Sequence, residues 1–463
     1  MQFEPLTAVS SIDGRYRKVA EELAEHLSEF GLIRARLLVE CEYLIALSEA
    51  NVGLRSLTKE EVVTLQQLPH ISTEDAQIVK KIEREGYEGI PATNHDVKAI
   101  EYFIKKKLAD TSLKDVSEWV HFGLTSEDVN SIAYGIMLRG ALQAVMVPGL
   151  EEIARTLRRL ATEHAATPML SRTHGQSATP TTFGKEMRVF EARLTRQIEQ
   201  LRTRTILVKF AGATGNFNAH VAALPDVDWR AFAEGFVARL NVGYKILLES
   251  NPVTTQIEPH DTFAEMFDNL RRVNIILVDF SQDMWRYISD GWVTQRPRDG
   301  EIGSSAMPHK VNPIDFENAE GNFGIANALF EHFSHKLPIS RLQRDLSDST
   351  VQRVFGTAYA HALIGYRSLV RGLGKISVNA EGMLVALREH PEILAEAIQT
   401  VLRKEGVEVP YEKLKELTRG RLVTVEGFAV FIDNLTVADE VKSSLKALRP
   451  ENYIGLAAEI ANE

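Results

Sequence analysis

The stretch Gly303-Ser304-Ser305-Ala306-Met307-Pro308-His309-Lys310-Val311-Asn312-Pro313 concentrates more reactive side chains than any other part of this 463-residue chain. Glycine and proline bracket it, which predicts an irregular loop. Its end predicts a helix start, with Asn312 as the N-cap and Pro313 as the first helical residue. Serine, histidine and lysine beside a helix N-terminus are suited to hold an anion and to move a proton. For any one of these residues, a polar surface loop without chemistry is the plain alternative.

A pattern of long amphipathic helices surrounds this loop. Apolar residues recur at steps of three or four through much of the chain, and alternating strand patterns are scarce. The clearest strand-like text, around Ile206 and Val208, is short. Helices of this length suit a bundle, so we predict an all-α fold with a long central helical bundle. The predicted long helices are 128–165, 183–201, 261–289, 313–336 and one from an N-cap at Ser349 to about Leu373.

Shorter helices with more breaks flank the long ones and predict a chain of three parts. These are an N-terminal helical domain over 1–112, the central bundle over 113–365 and a C-terminal helical domain over 366–463. Several bundle helices carry apolar residues on more than one face. We therefore expect the segment 113–365 to bury a face against another copy of the chain and to form the oligomer core.

Composition excludes some classes of protein. Apolar residues make up 44% and charged residues 25%, which is ordinary for a globular protein. The net charge of −10 argues against nucleic-acid binding but leaves room for a locally positive cleft. The single cysteine, Cys41, lies in an apolar run and is expected in the core. Without a signal-like N-terminus or an apolar run of membrane length, we expect a soluble cytoplasmic protein with no membrane partner.

Three further clusters of polar residues interrupt the helical pattern, at 93–98, 121–128 and 171–180. His174 lies in the last of these and is interpreted as part of a loop between two helices. Histidine titrates near neutrality and can donate a proton to a departing nitrogen. Helix capping alone also explains the first two clusters. The histidines lack the spacing of zinc ligands, so no metal site is predicted.

Arginines gather near a second predicted helix start. Arg341, Arg344 and Arg353 fall within fourteen residues, and Arg15 follows Asp13-Gly14 near the N-terminus. Guanidinium groups match the geometry of carboxylates and phosphates. A solvated charge cluster is the alternative.

Taken together, these motifs resemble those of a known family. The loops at 121–128, 171–180 and 303–313 resemble the three separated signature regions of the aspartase/fumarase superfamily. Within it, the motifs at 15–16, 93–96, 171–176, 255–260 and 307–310 resemble the adenylosuccinate lyase family in its longer bacterial form. The resemblance covers nearly the whole chain and implies an aspartase/fumarase-like all-α fold.

The resemblance implies a C–N lyase that works by β-elimination in purine nucleotide biosynthesis. Its substrates are adenylosuccinate, which gives AMP, and SAICAR, which gives AICAR, and both release fumarate. By motif match, Ser304 is the base and His174 the acid, with Ser305 as a less favoured base. A serine needs loop amides and a nearby cation to act as a base, and Lys310 is the expected cation.

The resemblance also implies the binding residues and the assembly. The residues expected around the phosphate are Arg15, Tyr16, Arg344, Ser349 and Arg353. His121 and Thr173 are expected to support the site without a main binding or catalytic role. The other expected substrate-binding residues are Asn94, His95, Asp96, Thr125, Ser126, Gln256, Ser305, Lys310, Val311, Asn312, Asn318, Thr350, Val351 and Gln352. The family assembles as a homotetramer with each active site shared between three chains, and it needs no metal or organic cofactor.

Two other functions remain open on the sequence. Argininosuccinate lyase and fumarase belong to the same superfamily, and either would keep the fold and Ser304 while changing the substrate. Their substrates carry no phosphate, so the arginine clusters favour the adenylosuccinate lyase family over these two enzymes. A helical scaffold without activity is the alternative from another class, and the intact Ser304, His174 and Lys310 argue against it.

Overall fold

The computed structural model describes residues 4–50, 52–296, 307, 310–408, 414 and 424–463. Within these residues the chain is built mainly of α-helices, which confirms the predicted fold class. In the first half of the chain the α-helices are α1 (Arg17–Ala20), α2 (Ala24–Leu27), α3 (Glu29–Glu49), α4 (Lys59–Gln67), α5 (Thr73–Arg84), α6 (Asp96–Leu108), α7 (Ser126–Ala141), α8 (Val147–Glu163), α9 (Phe183–Arg202) and α10 (Asn218–Ala223).

The second half of the chain is also helical. The α-helices described there are α11 (Trp229–Arg239), α12 (Asp261–Ser289), α13 (Ile314–Lys336), α14 (Ser347–Gln352), α15 (Phe355–Leu373), α16 (Ala380–Arg388), α17 (Ala395–Lys404), α18 (Val425–Asp433), α19 (Asp439–Ala447) and α20 (Ala457–Asn462). A π-helical segment, Leu142–Met146, joins α7 to α8.

Six short strands among the described residues form three separate pairs. They are β1 (Pro168–Thr173) with β2 (Gln176–Thr182), β3 (Thr205–Val208) with β4 (Leu247–Ser250), and β5 (Val293–Gln295) with β6 (Ile376–Val378). The first and last pairs are antiparallel and the middle pair is parallel. The β3 strand confirms the strand-like text predicted near Ile206.

Hydrophobic periodicity placed the long helices α9, α12 and α13 within one residue of their observed ends. The reason is visible in α12, whose apolar stripe is buried along its length, from Phe263 to Met284. The predicted start of α13 is wrong by one residue. The Pro313 carbonyl accepts the first helical bonds from Phe316 and Glu317, so Pro313 rather than Asn312 lies at the cap.

The helix predicted to run from Ser349 to Leu373 is two helices, α14 and α15, so this prediction is wrong at its start. The Asp345 carboxylate accepts the backbone N–H of Ser347 at 2.8 Å, which starts α14 two residues before Ser349. The second helix begins at Phe355, whose ring packs 5.0 Å from that of Phe267 and 5.2 Å from that of Phe333.

Two compact units divide the chain. The first comprises Met1–Leu150, Arg196–Ile275 and Gly321–Arg367, and the second comprises Glu151–Thr195, Ile276–Glu320 and Ser368–Glu463. In the first unit, Tyr43 packs edge-on against Phe210 and Phe236 in a buried aromatic cluster. Cys41 is buried in this unit, as predicted. The division into 1–112, 113–365 and 366–463 stays a prediction.

The second unit has its own apolar core near the C-terminus. It is formed by Leu394, Ile398, Leu402, Leu414, Phe428, Ile432 and Leu445. Across the described residues, one helical stretch, Ser126–Glu163, has the length and mean hydropathy (1.2) of a membrane span. Because 78% of that window is buried inside the protein, it is also what the core helix of a folded domain looks like.

Candidate active site

The predicted site residues fall in both units, and two of them lie outside the described residues. Ser304 and Ser305, the predicted base and its alternative, are those two. Thr173, His174, Lys310, Val311, Asn312 and Asn318 belong to the second unit, and the other predicted site residues belong to the first. The geometry is therefore given unit by unit.

His174 lies at the tip of a β-hairpin, which corrects the interpretation of 171–180 as a loop between helices. Thr173 of β1 pairs with Gln176 of β2, so His174 and Gly175 are the two residues of the turn. Their φ angles are 53° and 75°. Left-handed φ at both central residues defines a type I′ turn, whose twist matches that of the strands. The hairpin thus presents an exposed imidazole on a short, well-defined turn.

The hairpin is anchored within the second unit by an arginine of β1. Arg172 Nη2 lies 3.6 Å from an Asp290 carboxylate oxygen, and its guanidinium lies 5.3 Å from the centre of the Trp292 ring. The position of His174 is thus tied to the end of α12.

Lys310 and its neighbours precede α13 in the same unit. Lys310 is exposed, and its backbone N–H donates to the Met307 carbonyl at 3.0 Å. Gln295 Nε2 donates to the Val311 carbonyl at 3.1 Å. Asn318 Oδ1 accepts a 2.8 Å bond from the Ser368 hydroxyl. These contacts fix the backbone on which Lys310 stands.

In the first unit, the loop 121–128 ends in a capped helix. The Thr125 backbone N–H donates to Asp128 Oδ2 at 2.8 Å, and Thr125 is the N-cap of α7. Asp128 Oδ1 also accepts the backbone N–H groups of Ala211 and Gly212 at 2.8 and 3.1 Å. One buried carboxylate therefore holds this loop against the segment that follows β3.

His121 is held by a single buried carboxylate. Glu40 Oε2 accepts its backbone N–H at 3.1 Å, and Glu40 Oε1 lies 2.5 Å from its Nδ1. Burial lowers the pKa of the imidazole, but the Glu40 carboxylate outweighs this and the net pKa is raised. The two contacts with Glu40 fix the position of the His121 ring.

His95 caps α6 and also reaches the loop 121–128. Its Nδ1 accepts the Lys98 backbone N–H at 3.3 Å. Its Nε2 lies 3.3 Å from the Ser126 hydroxyl. Asn94, directly before it, has a left-handed φ of 49°. Two of the predicted binding motifs, 93–96 and 121–128, are therefore adjacent.

Arg344 is held between an amide and a buried carboxylate. Its Nη1 donates to Gln256 Oε1 at 3.3 Å, and its Nη2 lies 2.9 Å from Glu127 Oε1. Burial raises the pKa of Glu127, and the Arg344 charge opposes that rise. The Nε of Arg344 is buried and has no hydrogen-bond partner among the described residues. This brings Gln256 and Arg344 together, as the predicted site requires.

Arg353 pairs with the predicted binding residue Asp96. Its Nη2 donates to Asp96 Oδ2 at 3.1 Å, and Arg36 Nη2 donates to the same oxygen at 2.8 Å. Burial opposes the charge of Asp96, but the two guanidinium groups outweigh it and hold its pKa at about 2. Arg353 Nη1 also lies 3.4 Å from a Glu29 carboxylate oxygen.

The segment Ser349–Gln352 carries the remaining predicted binding residues of this unit. Ser349 is half-buried and Thr350 is exposed, whereas Val351 and Gln352 are buried. Gln352 Nε2 lies 3.4 Å from Nε2 of the buried His260. At the N-terminal end of this unit, the Arg15 guanidinium lies 6.0 Å from the centre of the Tyr16 ring.

Strained backbone gathers at the predicted motifs. Among the non-glycine residues with left-handed φ are Asn94, His121, His174 and His260. Such conformations cost free energy and persist only when the surroundings enforce them, which is most common at functional sites. Each of the motifs 93–96, 121–128, 171–176 and 255–260 thus contains one of these strained residues, which is a second and independent reason to consider the motifs functional.

Several residues that shape the site were missed by the sequence analysis. They are Arg36, Glu40, Glu127, Asn130 and Lys209. A signal existed for two of them, because Arg36 and Glu40 interrupt the apolar run of α3, where unpaired charges would be costly. Their partners are far apart in sequence, so no spacing could identify them.

Two family models match the chain over most of its length. Residues 14–326 match the family described as Lyase, and residues 340–454 match the one described as Adenylosuccinate lyase C-terminal. The first match covers more than half of the chain, so the chain belongs to this family of lyases.

Full-length relatives identify the family of lyases to which the chain belongs. Adenylosuccinate lyase of Escherichia coli strain K12 is 47% identical over 100% of both chains. Those of Haemophilus influenzae and Dictyostelium discoideum are 46% identical, over 100% and 98% of both chains respectively. The chain belongs to the adenylosuccinate lyase family.

Solved structures show the same fold at low identity. Fumarate lyase from Mesorhizobium sp. BNC1 has a TM-score of 0.73, 18% identity and 96% coverage of both chains. A 3-carboxy-cis,cis-muconate lactonizing enzyme from Pseudomonas putida has a TM-score of 0.70, 23% identity and 95% coverage. These similarities concern the fold alone.

Proposed function

We propose that this chain cleaves adenylosuccinate to AMP and fumarate, and SAICAR to AICAR and fumarate, by β-elimination. The family relationship over the full length supports the reaction. The observation that carries the substrate class is the placement of Arg344 and Arg353 in one unit, each oriented by a carboxylate. A phosphorylated substrate needs such guanidinium groups, and argininosuccinate and fumarate have no phosphate to bind them.

The chemistry is assigned to residues of the second unit. Ser304 removes the proton from the succinyl carbon, and His174 protonates the leaving nitrogen. Lys310 stabilises the deprotonated serine and the substrate carboxylate into which the carbanion delocalises. The exposed hairpin tip supports the acid role, because an imidazole there is open to an incoming substrate.

The remaining polar residues bind and orient the substrate. Arg15, Arg344 and Arg353 bind the phosphate, and Ser305 binds a carboxylate. His121, whose Nδ1 is held by Glu40, offers Nε2–H to an anionic group of the substrate. Because these residues divide between the two units, the assignment is tested residue by residue below.

We also propose a homotetramer in which each active site is shared between three chains. Large apolar side chains are exposed on the long helices, which is costly in water unless another surface covers them. Examples are Ile275 and Trp285 on α12 and Ile325 on α13, which are 50%, 44% and 49% exposed. Light scattering should return four chains at micromolar concentration, and a monomer would contradict the proposal.

A cytoplasmic location follows from the same assignment, because the proposed substrates are intracellular nucleotides. The direct test of function is to mix the protein with adenylosuccinate and follow the absorbance change as AMP forms. Argininosuccinate, offered at the same concentration, should give no fumarate. Turnover of argininosuccinate but not adenylosuccinate would assign the chain to another branch of the superfamily, and turnover of neither would favour a scaffold.

A further inference from the structure

A continuous chain of hydrogen bonds links Arg344 to Arg353 through the interior of the first unit. Arg344 Nη2 pairs with Glu127 Oε1 at 2.9 Å, and Asn130 Nδ2 donates to that same oxygen at 2.7 Å. Arg36 Nε then donates to Asn130 Oδ1 at 2.9 Å. The two outer arginines are predicted phosphate ligands, and Asp96 is a predicted substrate-binding residue. No role has been assigned to Glu127, Asn130 or Arg36, which lie between them.

The second half of this series of hydrogen bonds runs from Arg36 to Arg353. Arg36 Nη2 donates to Asp96 Oδ2 at 2.8 Å, and Arg353 Nη2 donates to the same oxygen at 3.1 Å. The sequence of charges alternates from Arg344 to Glu127, through the neutral Asn130, to Arg36, Asp96 and Arg353. Each carboxylate thus lies between two groups that donate to it.

Arg36 is the centre of this chain and is buried. Its side chain is 2% exposed, and Glu127 is also 2% exposed, whereas Arg353 is 43% exposed. A buried arginine is costly unless its donors are paired, and it is kept where it fixes a geometry. Because Arg36 donates through Nε to one branch and through Nη2 to the other, its planar guanidinium fixes both branches relative to each other.

We propose that Arg36 is a positioning residue that aligns Arg344 and Arg353 as one preorganised pair for the substrate phosphate. The inference rests on the proposed function, because it takes the phosphate as the anion that the two outer arginines bind. An arginine that is free to move loses rotamer entropy when it binds, and a held one loses less. The effect of Arg36 should therefore be on affinity for the phosphorylated ligand, with the chemical step little changed.

The test compares ligands with and without phosphate. Arg36→Met should weaken AMP binding at least tenfold by calorimetry and raise KM for adenylosuccinate by a similar factor. Adenosine, which lacks the phosphate, should bind within about twofold of its affinity for the unmodified protein. kcat should fall less than threefold, because His174 and Ser304 are unchanged. Equal weakening of AMP and adenosine would reduce Arg36 to a structural role and overturn the proposal.

Two further variants keep the test decisive. Arg34→Met removes another arginine of the same helix. The partner of Arg34 is Glu25, which takes no part in the hydrogen bonds between Arg344 and Arg353, so the affinities for AMP and for adenosine should not change. Asn130→Leu removes no charge but breaks the link between Arg36 and Glu127, so it serves if Arg36→Met does not fold. In Asn130→Leu, the losses of AMP affinity caused by Arg344→Met and Arg353→Met should become additive, whereas in the unmodified chain they should not be.

Additivity in the unmodified chain would overturn the proposal, since it would mean that the two arginines act independently. The binding measurements use AMP and adenosine without turnover. If the protein failed to cleave adenylosuccinate, the proposed function would fail while the coupling of the two arginines was still measured.

Discussion

Lys209 and Asp128 form an ion pair 2.7 Å long in which neither side chain has any exposed surface. Asp128 also accepts the backbone N–H of Thr125, so the pair holds the loop that carries His121, Thr125 and Ser126. Burial lowers the pKa of Lys209, and the Asp128 carboxylate opposes that shift. Desolvating both charges costs free energy, which their mutual attraction and the hydrogen bonds to Asp128 offset, and the pair fixes the loop in place.

Replacing Lys209 with methionine should destabilise the protein strongly. The change keeps most of the side-chain volume but leaves Asp128 buried without its counter-charge, which typically costs about 3–5 kcal/mol. Urea unfolding at constant protein concentration measures the loss. The control is Lys446→Met, which breaks an exposed pair with Asp433 and should cost about 1 kcal/mol or less. Equal effects of the two variants would mean that burial of the Lys209 pair has no energetic consequence.

The turn glycine beside His174 should matter for catalysis through its backbone. Gly175 has a φ of 75°, and a Cβ built on it would meet no atom of the described residues within 4 Å, its two chain neighbours aside. A side chain is therefore excluded by conformation and not by space. Gly175→Val should lower kcat at least tenfold because a β-branched residue resists left-handed φ and would displace His174. Gly175→Asn, which tolerates this conformation, should keep most of the activity. Activity measurements on adenylosuccinate decide, and full activity of the valine variant would show that the turn does not position the acid.

The Glu40–His121 contact should set a pH dependence of binding. The folded pKa of His121 is raised by Glu40, so the imidazolium persists to higher pH than in an unfolded chain and is lost as pH rises through that raised pKa. In Glu40→Gln this loss should occur at lower pH. AMP affinity measured by calorimetry from pH 6 to 9 should then decline earlier in the variant. The matched control is Glu42→Gln, since Glu42 pairs with Arg239 and does not touch His121. Coincident pH profiles for Glu40→Gln and the unmodified protein would contradict the assignment.

Two buried histidines should make the protein sensitive to acid. Burial lowers the pKa of His220 and of His260 to about 4. Between pH 6.5 and 4 the unfolded chain binds a proton at each of these positions that the folded chain does not, so stability falls as pH falls. The full loss is about 3 kcal/mol for each group, since one pKa unit corresponds to about 1.36 kcal/mol.

His220→Phe should reduce this sensitivity. His220 is fully buried among aromatic rings, and its Nδ1 has no partner among the described residues. Its Nε2 lies 3.4 Å from the Tyr43 hydroxyl, which keeps the Phe122 carbonyl as a partner at 2.8 Å, so an apolar ring can replace His220. Urea midpoints at pH 7, 6 and 5 should fall less steeply in the variant. Replacing the exposed His332 with asparagine should leave the slope unchanged. An unaltered slope in His220→Phe would place the acid sensitivity elsewhere.

Substitutions of Ser304 and Ser305 should separate the catalytic base from a binding group. Ser304→Ala should abolish turnover, because it removes the proton-accepting group, and such groups contribute at least about 10²-fold. Substrate binding should persist, since the phosphate and carboxylate contacts remain. Ser305→Ala should raise KM and keep part of kcat. Steady-state kinetics on both variants decide, and the reverse result would move the base by one residue.

The sequence by itself determined the helical class, the long helices and the identity of most candidate site residues. Periodicity of 3.6 residues is a local property, so α9, α12 and α13 could be placed without knowing what they pack against. The motifs were also local, since Thr93-Asn94-His95-Asp96 and Thr125-Ser126-Glu127-Asp128 are contiguous in the chain. Even there, a turn with two left-handed residues was overlooked, and the hairpin under His174 was interpreted as a loop.

Only the tertiary structure decided which residues hold the motifs in place. Arg36 contacts Asn130, which is 94 positions away in the sequence, and Lys209 contacts Asp128, which is 81 positions away. Pairs so far apart follow no motif that could be recognised in the sequence. A buried charge is tolerated only where a partner of opposite charge or a hydrogen-bond acceptor reaches it. The sequence could show that Arg36 and Glu40 were out of place in an apolar helix. The fold alone supplied Asp96 and His121 as the groups that make those two charges stable.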